Sequence, residues 1–241
     1  MKKSILLSLL FLSLLAAGQD KLDINSKCSI RGIFGIPRPI SSSRFHTTFR
    51  GVYEAGLSCN YRITETTYAG LGFNYSNFSV SKQPWAAPVS TTAGALYYKT
   101  AMINQGVYLK VGYDQYFSDL GYTSISMNGG YMMVNYTKVN PDTLSNQFTN
   151  YSNANWPHVP TSFNAPYLQP ELSFNFIAER YPDKRARLSF SLLLSYTTLF
   201  YHFDARAPRY YHIGDVHEAT NKYFISWVNI GVGFHALIGK K

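Results

Sequence analysis

The stretch FRGVYEAGLSCNYR, residues 49–62, decides the fold. Its odd positions, from Phe49 to Tyr61, are apolar or small, and its even positions, from Arg50 to Arg62, are mostly polar or small. Successive side chains point to opposite faces of a β-strand, so a period of two predicts one long strand with an apolar and a polar face. The predicted strand is longer than the roughly five or six residues usual in globular sheets.

The same alternation recurs along the chain, and no long segment shows the 3.6-residue period of a helix. Further strands are predicted at Ile24 to Gly35, Thr67 to Tyr75, Gly106 to Asp114, Tyr122 to Val139, Leu168 to Phe176, Leu188 to Tyr196 and Phe224 to Phe234. Within Tyr122 to Val139, the pair Gly129-Gly130 interrupts the phase and predicts a β-bulge. The chain is therefore predicted to be all-β, with about eight strands in one closed antiparallel barrel.

The connections between these strands alternate in length. Long ones are predicted at Ile36 to His46, Lys82 to Ile103, Asn140 to Ala165 and Asp204 to Asn221. Short ones are predicted at Ile63 to Thr66, Phe117 to Gly121 and Tyr181 to Arg185. Long external loops and short periplasmic turns are typical of transmembrane barrels, and this order places both termini on the periplasmic side.

Alternation alone also fits a soluble barrel or sandwich whose apolar face points inward. Three features favour a transmembrane barrel. The strands match a tilted bilayer crossing, tyrosines cluster near strand ends, and glycines on the polar face suit a narrow lumen. Aromatic residues make up 16% of the chain and charged residues only 15%, whereas soluble domains carry about 25% charged residues.

If the polar face lines the lumen, it carries charges of both signs. These predicted lumen residues are Lys27, Arg31, Arg50, Glu54, Arg62, Lys110, Asp114 and Glu171. An unpaired buried charge is costly, and eight strands enclose a space just large enough for side chains. We therefore expect a packed, ion-paired lumen in place of an open pore.

The chain begins with the features of a secretory signal peptide. Met1-Lys2-Lys3 is basic, Ile5 to Leu15 is apolar, and Ala16-Ala17-Gly18 supplies small residues for cleavage. The apolar run is too short for a transmembrane helix. The expected division is a signal peptide at residues 1–18 and a single barrel domain at residues 19–241.

The last predicted strand contains Asn229-Ile230-Gly231-Val232-Gly233-Phe234-His235-Ala236. It resembles the carboxy-terminal signal read by the barrel-insertion machinery. The whole mature chain resembles the small outer-membrane β-barrel proteins of Bacteroidota, similar in architecture to the OmpX, OmpW and PorT groups. The resemblance implies an architecture and a place in the outer membrane, but no particular activity.

Catalytic and metal-binding patterns are weak. His212, Asp215, His217 and Glu218 cluster in the last long connection, but their spacing matches no established site, so neither an enzyme nor a cofactor is predicted. Cys28 and Cys59 share the apolar face of neighbouring strands, which leaves a disulfide and two free lipid-facing thiols as alternatives. The formal net charge of +9 comes without a dense basic patch, which favours acidic lipid headgroups over nucleic acid.

The long connections are rich in aromatic residues, among them Trp85, Tyr97, Tyr98, Phe148, Tyr151, Trp156, Tyr210 and Tyr211. Such residues either cap the barrel mouth or bind a protein partner or glycan. The function predicted is a non-enzymatic structural or accessory barrel in contact with outer-membrane lipids and lipopolysaccharide. A narrow solute pore, a lipid-modifying enzyme and an accessory of protein export are the alternatives.

Overall fold

The computed structural model describes residues 27–41, 45–46, 49–80, 84–85, 96–99, 101–118, 120–136, 140–141, 162–180, 186–202 and 224–239. Eight strands form the barrel: β1 (Cys28–Pro39), β2 (Phe49–Arg62), β3 (Thr67–Val80), β4 (Ala101–Ser118), β5 (Gly121–Tyr136), β6 (Ser162–Arg180), β7 (Ala186–His202) and β8 (Phe224–Ile238). Among these described residues, no helix is long and apolar enough to span a membrane.

The barrel is closed by antiparallel pairing between its first and last strands. Every other strand pairs with its sequence neighbours, in the order β1-β8-β7-β6-β5-β4-β3-β2. Cys28 at the start of β1 pairs with Ile238 on β8 and with Tyr61 on β2. Closure gives every strand two partners and leaves no exposed edge. The predicted closed antiparallel barrel of about eight strands is confirmed.

The two ends of the barrel differ. Residues Lys27 and Gly239 lie at the same end as the short connections 63–66, 119–120 and 181–185, which we call the turn end. The strand ends that the longer connections 40–48, 81–100, 137–161 and 203–223 join lie at the opposite end of the barrel, which we call the loop end. Three short strands from these connections, Pro84–Trp85, Leu96–Lys99 and Asn140–Pro141, form a small separate sheet.

Several strands extend further toward the loop end than their alternation predicts. β1 runs through Pro37 to Pro39, and β6 begins at Ser162, ahead of Pro166. Proline lacks the backbone N–H that a strand ladder uses, so a proline in a sequence argues against a strand. In this barrel the ladder tolerates these prolines near the loop end.

The described strands β2, β4 and β7 contain bulges or register shifts, but none lies at Gly129-Gly130 of β5. Pairing between β2 and β3 shifts register between Gly51 and Tyr53. The predicted bulge at Gly129-Gly130 was wrong, because both glycines pair in continuous register with β4 and β6. Gly130 is required by close packing, since a Cβ there would overlap the carbonyl oxygen of Val107.

Two lumen glycines accommodate tyrosine rings from the neighbouring strand. Gly72 of β3 pairs with Tyr108 of β4, and Gly112 of β4 pairs with Tyr68 of β3. A Cβ on either glycine would overlap the facing tyrosine ring. The paired glycine and tyrosine positions therefore fill the lumen as the polar-face glycines predicted.

We expect Gly112→Ala to destabilise the barrel by about 1–3 kcal/mol, because the buried Tyr68 ring must move to make room. The matched control is Gly32→Ala, where a Cβ meets nothing within 4 Å and the stability should change by less than about 0.5 kcal/mol. Urea unfolding of both variants in lipid vesicles measures the difference. Equal effects at the two positions would show that the tyrosine does not need the glycine.

Candidate functional site in the barrel lumen

Alternate side chains of all eight strands point into the lumen, and most of them near the turn end and the middle are polar. The buried polar residues include Ser58, Asn60, Asn74, Ser76, Asn104, Ser124, Asn128, Gln169, Ser173, Asn175, Ser189, Ser195, Thr197 and Asn229. Many of them hydrogen-bond across strands: Asn128 Nδ2, for example, donates to Gln169 Oε1 at 3.0 Å. Polar side chains buried in this way need partners to offset the loss of water.

A buried group of three charges spans the middle of the lumen. Arg31 of β1 forms an ion pair through Nη1 with Oε1 of Glu171 on β6. Lys110 of β4 donates to the same carboxylate, with Nζ 3.2 Å from Oε1 and 3.4 Å from Oε2. Arg31, Lys110 and Glu171 are all nearly inaccessible to solvent. Two cations therefore share one carboxylate.

A second ion pair lies nearer the turn end. Arg62 Nη2 is 2.7 Å from Asp114 Oδ2. The same guanidinium donates through Nη1 to the carbonyl oxygen of Glu65 at 2.6 Å and to the Tyr116 hydroxyl at 3.1 Å. Ser124 Oγ donates to Asp114 Oδ1 at 2.5 Å. This pair links the ends of β2 and β4 to β5.

Glu54 is fully buried and is held by neutral donors. Trp227 Nε1 donates to Oε2 at 2.7 Å, and Gln169 Nε2 and Asn74 Nδ2 donate to Oε1 at 2.9 and 3.3 Å. Among the residues that the structure describes, no cation lies within ion-pair distance of this carboxylate. The sequence predicts Glu54 in the lumen but does not predict these three partners.

Two of the predicted lumen residues lie elsewhere. Arg50 is exposed because the β2 bulge reverses the alternation, so that Phe49 and Gly51 point inward and Arg50 points outward. The prediction of a lumen position for Arg50 was wrong. Lys27 is exposed at the turn end, where it borders the mouth of the lumen without being buried in it.

The lumen changes from polar to apolar toward the loop end. A cluster of buried residues fills this part: Phe45, Phe49, Phe78, Met102, Tyr108, Met132, Val134, Ala165, Tyr167, Leu199, Ile225 and Trp227. Phe45 comes from the connection between β1 and β2, and its ring lies 5.4 Å from Phe49 and 5.8 Å from Phe78. We call this group the loop-end cluster.

Trp227 joins the loop-end cluster to the polar lumen. Its ring packs edge-on against Phe78 at 5.2 Å, and its indole nitrogen donates to Glu54. Sequence reasoning missed the cluster because period-two alternation places Phe49 outside. The signal that could have found it is the run of large apolar residues at the loop-side ends of strands, where the polar face should continue.

Both cysteines are free and exposed on the outer face. Cys28 pairs with Tyr61 and Cys59 with Ile30, so the cysteines occupy diagonal positions instead of facing each other. Of the two alternatives, a disulfide and two free thiols, the structure shows two free thiols.

The remaining candidates lie outside the described residues. These are the cluster of His212, Asp215, His217 and Glu218 and the aromatic residues Phe148, Tyr151, Trp156, Tyr210 and Tyr211. The strand pairing of Trp85, Tyr97 and Tyr98 is described, but their side chains are not. Within the described part of the chain, no group of three or more histidine, cysteine, aspartate or glutamate residues is arranged to hold a metal ion.

No protein-family model matches this chain, and no curated protein matches it. Several solved structures are similar. Neisserial surface protein A is 11% identical with a TM-score of 0.49, covering 88% of this chain and 98% of that one. OprG, an outer membrane protein of Pseudomonas aeruginosa, is 12% identical with a TM-score of 0.42, covering 88% and 97%.

Ail, the attachment invasion locus protein of Yersinia pestis, is 7% identical with a TM-score of 0.42 in its complex with the heparin analogue sucrose octasulfate, covering 88% of this chain and 99% of that one. Similarity at this level assigns no function to the chain. The barrel fold rests on the strand pairing described above.

Proposed function

We propose that this protein is an integral outer-membrane β-barrel whose lumen is closed by its own side chains. It acts as a non-enzymatic structural or accessory component, and its long connections present a surface to a protein partner. The observation that carries the proposal is the combination of an apolar outer face with a lumen that buried side chains fill in its middle and at the loop end.

The outer face of the barrel is a belt of exposed apolar residues. On three neighbouring strands Leu71, Leu109 and Ile125 are 65%, 65% and 61% exposed. The belt continues around the barrel through Phe34, Ile36, Leu57, Phe73, Val107, Val111, Met127, Tyr131, Leu168, Phe174, Phe176, Phe190, Leu192, Leu194, Ile230, Val232 and Phe234. Soluble proteins rarely expose apolar patches larger than a few hundred Å², whereas lipid chains solvate such a belt.

A closed barrel satisfies the backbone hydrogen bonds that hydrocarbon cannot satisfy. The signal peptide predicted at residues 1–18, which lie outside the described residues, and a last strand that resembles the barrel-insertion signal support an outer-membrane location with periplasmic termini. In this location the protein would contact outer-membrane lipids and lipopolysaccharide, and the barrel-insertion machinery during its biogenesis. Membership of the OmpX, OmpW or PorT groups of Bacteroidota stays a prediction.

The described side chains support a lumen that is closed to ions. The shared pairing of Arg31, Lys110 and Glu171 crosses its middle, and the loop-end cluster fills the space beyond Glu54. Side chains that fill an eight-stranded interior leave the outer face and the loop end as the surfaces for interaction. The aromatic residues of the long connections provide anchors of the kind common at protein interfaces.

We expect the purified barrel to be silent in single-channel recordings in planar bilayers at all voltages and salt concentrations tested. The reason is that passage requires breaking the buried ion pairs and displacing the loop-end cluster. Heat-modifiable mobility on gels verifies that the inserted protein is folded, and an open porin serves as the positive control. Steady cation- or anion-selective steps from folded protein would refute a closed lumen and favour a narrow pore.

A further inference from the structure

A polar cavity opens at the turn end of the lumen, between the mouth of the barrel and the buried charges. Its lining includes Lys27, Arg31, Arg62, Tyr68, Asp114 and His235. The proposed function makes no use of this cavity.

Arg31 is one of the residues that line the cavity. Its Nη1 pairs with Glu171, whereas among the described residues Nε and Nη2 have no hydrogen-bond partner, although Arg31 is only 1% exposed. The Nε–H and Nη2–H groups point the same way from one edge of the planar group. This edge binds two oxygens of a carboxylate or phosphate at once. A buried donor without a partner is costly, so a ligand that supplies two oxygens is favoured here.

The charges around the cavity also favour an anion. Arg62 and Asp114 neutralise each other, but Arg31 and Lys110 share the single carboxylate of Glu171. The positive charge beside the cavity therefore exceeds the negative charge by one, because the remaining lumen carboxylate, Glu54, is held by neutral donors outside the cavity lining. Lys27 adds another positive charge at the mouth. The field inside a poorly hydrated lumen is strong, so this excess attracts a small anion.

His235, which pairs with Arg31 across β1 and β8, also lines the cavity and supplies a further donor. Its Nδ1 lies 3.3 Å from the Tyr122 hydroxyl, which also lies 3.3 Å from Ser189 Oγ. When Nδ1 accepts the tyrosine hydrogen, the neutral imidazole carries its own hydrogen on Nε2. That Nε2 is buried and has no partner among the described residues.

We propose that the turn-end cavity binds a small oxyanion of the phosphate class, held by the Nε/Nη2 edge of Arg31 and by Nε2 of His235. In the orientation proposed above, the cavity faces the periplasm. The anion comes either from free phosphate or from a lipid phosphate headgroup, since both present the same oxygens.

The test uses the folded barrel in a phosphate-free maltoside detergent, with inorganic phosphate observed by phosphorus NMR. We expect saturable line broadening in the wild type. Arg31→Lys keeps the charge but removes the two-donor edge, and should weaken binding by about tenfold or more. His235→Gln should weaken it severalfold, and provides a second readout if Arg31→Lys does not fold.

The matched control is Arg187→Gln, which removes an exposed arginine at the same end of the barrel, where it pairs with Glu179 outside the cavity. Binding by this variant should equal that of the wild type. A soluble short-chain phosphatidylglycerol is then added as competitor. If the lipid displaces bound phosphate, or if only the lipid signal broadens, a lipid headgroup is a ligand of this site. If the lipid does not displace phosphate, the ligand is free phosphate.

The proposal is overturned if neither probe shows saturable broadening with the folded wild-type barrel, or if folded Arg31→Lys and His235→Gln bind as tightly as Arg187→Gln. In that case water fills the cavity and satisfies the free donors of Arg31 and His235.

Discussion

Replacing Glu171 with glutamine is expected to destabilise the barrel by about 3–5 kcal/mol, the cost of breaking a buried ion pair by removing one partner. The carboxylate of Glu171 receives both Arg31 and Lys110 in the middle of the lumen. Glutamine has nearly the same shape, so packing is preserved while two buried cations lose their counterion. Urea unfolding in lipid vesicles, followed by tryptophan fluorescence, measures the loss.

The chain contains a matched control for this experiment. Glu179 pairs with Arg187 at 2.9 Å, but both side chains are about half exposed. Exposed ion pairs contribute little, so Glu179→Gln should change stability by less than about 1 kcal/mol. Adding Lys110→Met to Glu171→Gln should recover part of the loss, because it removes one of the uncompensated cations. Equal effects of Glu171→Gln and Glu179→Gln would contradict a buried, dry network.

Replacing Leu109 with arginine is expected to destabilise the membrane-inserted barrel by about 2–4 kcal/mol. Leu109 lies midway along β4, points outward and is 65% exposed. An arginine there must be placed in hydrocarbon if the belt contacts lipid. Reversible unfolding from vesicles measures the change.

Leu120→Arg is the control, because Leu120 is even more exposed, at 74%, but lies in the short connection between β4 and β5. A position near the interface or in water tolerates the charge, so the change should be within about 1 kcal/mol. If both arginines were tolerated equally, the outer face would be water-facing and the proposed membrane location would be wrong.

The sequence predicted the fold well where alternation was regular. The bounds of β2 were predicted at both ends, and the long and short connections were found in the correct order. The prediction failed where a local sequence feature, such as a glycine pair, is compatible with two different structures. Gly129-Gly130 looked like a bulge, yet these glycines permit close strand packing.

The sequence predicted that charged residues of both signs line the lumen, but it did not predict which of them form ion pairs. Lumen positions for Arg31, Glu54, Lys110 and Glu171 follow from alternation within each strand. Which of them meet does not, because Arg31 and Glu171 are 140 residues apart in sequence. Their contact depends on the register of every strand around the barrel.

By itself, the sequence determined that this chain forms long two-faced strands in an up-and-down order, because alternation and connection length are local properties of the backbone. Only the tertiary structure decided that the β2 bulge turns Arg50 outward and Phe49 inward. It also decided that one carboxylate serves two cations and that an apolar cluster fills the loop end. The physical reason is closure: joining β1 to β8 fixes the register of all eight strands together, and register decides which inward side chains touch.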